Sequence, residues 1–72
     1  MSEEILSMLS NLGALNEERA ASIELLSNSE RLRGIDVASA IAVLEEKGYV
    51  KKTGEKVSLT ESGLIRALSM FS

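Results

Sequence analysis

From Ile35 to Thr60 the chain carries helix and turn signals in close succession, and they restrict sharply what it can build. Ile35-Asp36 sets an apolar residue before a good helix cap, and Gly48 supplies a left-handed exit at the far end. Between them Val37, Ala38, Ile41, Leu44 and the stem of Glu45 line an inward side, so a helix is expected over Val37–Lys47. Tyr49 to Leu59 then alternates in two runs around Thr53-Gly54, the pattern of a β-hairpin. With Thr53-Gly54 as the turn, Lys52 faces Glu55, Lys51 faces Lys56 and Val50 faces Val57. Val50, Val57 and Leu59 share the inward face, and a one-residue slip would break that match. Thr60 caps a last helix from Glu61 to about Met70, with Leu64, Ile65, Leu68 and Phe71 as its apolar residues.

The first half is punctuated less sharply. Ser2 caps a first helix whose opening turn holds Glu3 and Glu4, where the helix dipole favours negative charge. Ile5, Met8, Leu9 and Leu12 repeat at helical spacing, and Gly13 is the stop. Asn16 reads as the cap of a second helix, with a stripe at Ala20, Ile23 and Leu26 or Ser27 and with Leu25 beside it. Asn28-Ser29 weakens that helix, and Ser29 to Arg33 offers a further turn before Gly34. The expected fold is predominantly α with a small β-hairpin: three helices, a hairpin and a final helix in one domain spanning residues 1–72.

Composition narrows the function. The sequence has no cysteine and no histidine, which removes disulfides, thiol catalysis, the commonest metal ligand and the usual general base. The pairs Glu3-Glu4, Glu17-Glu18 and Glu45-Glu46 are chain neighbours, which do not face each other on a helix, so none forms a catalytic dyad or a metal cage. Gly13, Gly34, Gly48, Gly54 and Gly63 punctuate turns and caps and do not form a phosphate-binding loop. Tyr49 is expected to pack at the base of the hairpin, and one aromatic makes a poor platform for stacked bases. No stretch offers the ~20 apolar residues of a membrane span, and the Met-Ser-Glu-Glu start is unlike a secretory leader. The expectation is a soluble cytoplasmic domain, neither an enzyme nor membrane-bound, with no cofactor or metal.

Net charge is −3, but it is unevenly spread. Residues 1–30 hold six glutamates against Arg19 alone, whereas residues 31–72 hold seven basic side chains against five acidic ones. Any anionic partner is therefore expected to meet the second half. The run Gly34-Ile35-Asp36-Val37, Ile41, Leu44-Glu45-Glu46-Lys47-Gly48-Tyr49-Val50, then Lys52-Thr53-Gly54-Glu55-Lys56-Val57-Ser58-Leu59-Thr60 with Gly63-Leu64, resembles a winged helix-turn-helix domain of small prokaryotic or archaeal regulators. The resemblance covers residues 34–65 well and residues 1–33 only in element order. It implies double-stranded DNA binding and transcription regulation, with the third helix in the major groove and the hairpin, or wing, on the backbone or minor groove.

Carried onto this chain, the resemblance puts Arg31, Arg33, Lys51, Lys52 and Lys56 on phosphates, the alternative for Arg31 and Arg33 being a bridge to the acidic first half. The outward positions of the third helix are then Asp36, Ser39, Ala40, Val43, Glu46 and Lys47, with Ser39, Ala40 and Val43 near bases and Lys47 as a further contact. Base edges are usually read by bidentate arginine, lysine, glutamine or asparagine, and here Ser39 is the one neutral hydrogen-bonding side chain in the set. Lys51 and Lys56, placed directly opposite, repel each other, and a bound phosphate would relieve that repulsion. The alternative is a protein-interaction module without DNA binding, using the Ala40–Val43 face or a patch at Met70 and Phe71. The apolar cluster Leu68, Met70 and Phe71 fits either a core contact with the first helix or a homodimer seam through the first and last helices.

Overall fold

The aliphatic side chains of every main segment meet in one core: Ile5, Leu6 and Leu9 from the start, Leu26, Leu32, Val37, Ile41 and Leu44 from the middle, and Val50, Val57 and Leu59 from the hairpin. The computed structural model describes residues 2–69. Within them, four helices pack on a three-stranded antiparallel sheet. In chain order these are α1 (Ser2–Leu12), β1 (Ala21–Ser22), α2 (Ile23–Ser27), α3 (Val37–Glu46), β2 (Val50–Thr53), β3 (Lys56–Leu59) and α4 (Glu61–Ser69). Short 3₁₀ turns at Glu17–Arg19 and Glu30–Leu32 complete the path. The sheet order is β1-β3-β2, so β3 is central. No described helix is long and apolar enough to cross a membrane.

The second helix expected from Asn16 does not form as one piece. Asn16 does cap, its side chain accepting the Arg19 amide at 3.0 Å, but only for the 3₁₀ turn. Ala20 leaves helical backbone at ψ 141°, and Ala21 and Ser22 pair with Val57 and Lys56 as β1. Ser22 then caps the five-residue α2. The reason is tertiary. The Ala14 carbonyl accepts from the Leu59 amide at 2.7 Å, which draws the chain after Gly13 along the free edge of β3. Pairing that edge satisfies backbone groups that a continuous helix would leave to solvent. The further turn before Gly34 is present at Glu30–Leu32, with Leu32 buried.

The hairpin register also differs from the expectation. Val50 pairs with Leu59, Lys51 with Ser58, Lys52 with Val57 and Thr53 with Lys56, leaving Gly54-Glu55 as the two-residue turn. Both favoured hairpin turns require positive φ at their first central residue. Gly54 meets that requirement at φ +61°, and no described non-glycine residue has a positive φ. The expected turn would have forced the β-branched Thr53 into that conformation. Each partner is displaced by two residues, an even step, so Val50, Val57 and Leu59 still share the buried face. Lys51 and Lys56 are not opposite each other, and the repulsion expected between them is relieved by the register itself.

Thr60 closes the structure. Its hydroxyl donates to the Gly48 carbonyl at 2.6 Å and accepts from the Gly63 amide at 3.1 Å, which caps α4 and fastens it to the exit of α3. Its amide donates to the Tyr49 carbonyl at 3.0 Å. Tyr49 is half-buried against the core beside this junction. α4 buries Gly63 and Ala67, half-buries Leu64, and leaves Ile65 and Leu68 exposed, contrary to the expected apolar stripe. The small residues at i and i+4 let the helix sit close, which turns Ile65 and Leu68 outward. Met70 and Phe71, assigned to the core, a dimer seam or a partner patch, lie outside the described residues. A Cβ at Gly63 would collide with the Tyr49 carbonyl. Gly63→Ala is therefore expected to destabilise the fold by about 1–3 kcal/mol in urea unfolding. An unchanged midpoint would contradict the close packing.

Candidate nucleic-acid interface

α3 is an amphipathic helix with one buried line, Val37, Ile41 and Leu44. Ala40 is half-buried and packs against the core, so it does not share the outer surface with Val43 as expected. Ala38 and Glu45, placed inward by the sequence pattern, are exposed. At 3.6 residues per turn the buried line is centred between Val37, Ala40, Ile41 and Leu44, and Ala38 and Glu45 fall at its margin. The exposed surface is thus Ala38, Ser39, Ala42 and Val43, flanked by the carboxylates of Asp36, Glu45 and Glu46.

The polar chemistry at the start of α3 is turned inward on the helix. Asp36 accepts the Ser39 amide at 3.2 Å and the Ser39 hydroxyl at 2.8 Å. These bonds, the hydroxyl foremost, hold the Asp36 carboxyl below its ordinary value of 3.8. Ser39 was expected near bases, and its one hydroxyl proton is committed to the cap. Among α3's outward residues there is no arginine, lysine, glutamine or asparagine, the side chains that most often read a base edge.

Two of the five expected phosphate contacts are already paired with acids from the first half of the chain. The Lys51 ammonium lies 2.7 Å from the Glu17 carboxylate, and Arg31 lies 3.2 Å from Glu4. The Lys51 hydrogen bond and charge hold the Glu17 carboxyl below its ordinary range, with a smaller contribution from the Thr53 hydroxyl. The Arg31–Glu4 pair is the bridge to the acidic first half that was the alternative for Arg31, whereas local sequence gave no warning of the Glu17–Lys51 pair. Glu17 reaches Lys51 because β1 brings the preceding turn against the sheet, and that pairing has no pattern of its own. Arg33, Lys47, Lys52 and Lys56 are exposed and have no acidic partner within ion-pair distance among the described residues.

These four cations do not form one cluster along the chain. Lys52 and Lys56 flank the Gly54-Glu55 turn, Arg33 lies just before α3, and Lys47 lies at its far end. The hairpin tip is anchored, since the Ile23 amide at the start of α2 donates to the Glu55 carbonyl at 2.9 Å. Lys52 borders a shallow cleft shared with Ile23, Glu24, Gly54 and Glu55. Lys56 lies on the opposite face with Thr53 and Lys51. No group of acidic side chains among the described residues is arranged to hold a metal ion. No protein-family model, curated protein or solved structure matches the chain.

The Asp36 cap makes a pH-dependent contribution. A carboxyl that titrates lower in the folded state stabilises fully above its unfolded value and loses that contribution as pH falls through the folded one. Asp36→Ala is expected to lower the thermal midpoint at neutral pH, with the gap to wild type narrowing below pH 3.8. A gap independent of pH in a calorimetric series would remove the carboxylate from the cap.

Proposed function

We propose that this chain is a winged helix-turn-helix domain that binds double-stranded DNA through the sugar-phosphate backbone, led by the tip of its hairpin wing. The observation that carries the reading is the pair Lys52 and Lys56, exposed and without an acidic partner within ion-pair distance, on either side of a turn anchored to α2. The order helix, strand, two helices, two strands and helix supports it, and so does an α3 exposed along one side. Arg33, at the entry to α3, is the third cation of the contact set. Lys47 lies at the other end of that helix and contributes less.

Backbone contact alone gives weak, salt-sensitive binding with little sequence preference. An overall charge of −3 and the carboxylates beside α3 keep the affinity low. Three phosphate contacts correspond to a slope of about −3 when log affinity is plotted against log salt. Replacing Lys52 and Lys56 with alanine is expected to weaken binding to every duplex tested and to flatten the slope to about −1. Fluorescence anisotropy across a salt series reads both quantities. Unchanged affinity in that double variant would take the wing out of the mechanism.

One observation favours a second reading, a protein-interaction module. Val43 is 44% exposed in a surface otherwise made of Ala38, Ala42 and Ser39, which suits an apolar contact better than base readout. Under that reading Val43→Glu abolishes partner capture in a pull-down and leaves the fold intact, whereas the lysine variants leave capture unchanged.

A further inference from the structure

The outer face of the hairpin carries Lys51, Thr53 and Lys56, while Ser58 on the same side is buried. Lys51 and Lys56 are diagonal neighbours there, a spacing that long side chains can bridge. Onto this face the 3₁₀ turn delivers Glu17, whose carboxylate oxygen sits 2.7 Å from the Lys51 ammonium. Its placement is set by backbone: the Asn16 cap, the bond from Leu59 to Ala14 and the pairing of β1 with β3 hold the turn against the sheet. A carboxylate bonded to a lysine has the charge and short contact that a phosphodiester oxygen would make at the same point.

We propose that the Lys51 face is a phosphate subsite for duplex DNA which the protein's own Glu17 carboxylate occupies in competition with the duplex, holding Lys51 out of the wild-type contact set. The inference rests on the DNA-binding reading above. The bond is suited to exchange, because the Lys51 and Glu17 side chains are 61% and 57% exposed, and exposed ion pairs are weak. The turn that carries Glu17 buries none of its three residues. The Lys56 ammonium faces the same surface, and the Thr53 hydroxyl, which also supports the Glu17 carboxylate, is freed with Lys51 when that carboxylate leaves.

The test is duplex binding by anisotropy over a salt series for the full chain and three variants. Glu17→Gln frees Lys51, and it should bind about two- to fivefold tighter with a salt slope steeper by about 1. Glu18→Gln removes the same formal charge from the neighbouring position without touching Lys51, so its slope should match wild type. Adding Lys51→Gln to Glu17→Gln should return the slope to the wild-type value. If Glu17→Gln and wild type bind equally, the subsite is overturned and the DNA reading stands. If Glu18→Gln reproduces the full effect, bulk charge is responsible and the subsite is again overturned. Absence of binding by every form at low salt would overturn the DNA reading together with the subsite.

Discussion

Gly54 adopts a backbone conformation that side-chain-bearing residues rarely take, and the arrangement of the sheet follows from it. Because it occupies the first central position of the turn, Lys51 faces Ser58 and Lys52 faces Val57. The apolar residues of both strands then point into the core, and the lysines divide between the two faces. β3 is left with one edge paired to β2 and the other open to the chain after α1. The Ala14–Leu59 bond and the two pairs of β1 fill that open edge. One glycine thus sets which cation meets Glu17 and which are left at the tip.

A second constraint fixes the other end of the hairpin. Thr60 holds the exit of α3, the entry of β2 and the first turn of α4 through one side chain and one amide. Gly63 permits the close approach, and Ala67 continues it. The consequence is an α4 that contributes little aliphatic bulk to the core and carries Ile65 and Leu68 on its outer side. Most of the core therefore comes from α1, α3 and the hairpin. The elements that would meet a duplex in the proposed reading are the same ones that hold the fold together.

How much of this was legible depended on whether the signal was local. The Asp36 cap, the Gly48 exit and the Thr60 cap each act within a few residues, and all three are where the sequence put them. The shared face of Val50, Val57 and Leu59 was readable from alternation. The register was not, because a period of two is unchanged when partners move by two, and only the φ demand of the turn separates the choices. β1 is Ala-Ser, too short for any pattern, so the segment from Asn16 looked helical throughout. Without β1 the Glu17–Lys51 contact could not be foreseen, and Lys51 looked as available as Lys52. On α4 the larger apolar residues suggested the inward side, while the tight junction selected the smaller ones.

The electrostatic account that results is sparse. The acidic first half is not merely a separate region of opposite charge, because Glu4 and Glu17 reach across to Arg31 and Lys51. Of the cations expected on phosphates, Lys52, Lys56 and Arg33 are left unpaired among the described residues, and α3 carries no arginine, lysine, glutamine or asparagine; the proposed DNA contact rests on those three cations. An amide NMR titration of the labelled protein with a mixed-sequence duplex at low salt tests that claim most directly. The account predicts shifts at Lys52 to Lys56 and around Arg33 that fade as salt is added, with smaller changes along the outer side of α3. Undisturbed amides at the hairpin tip, in the presence of excess duplex, would contradict it.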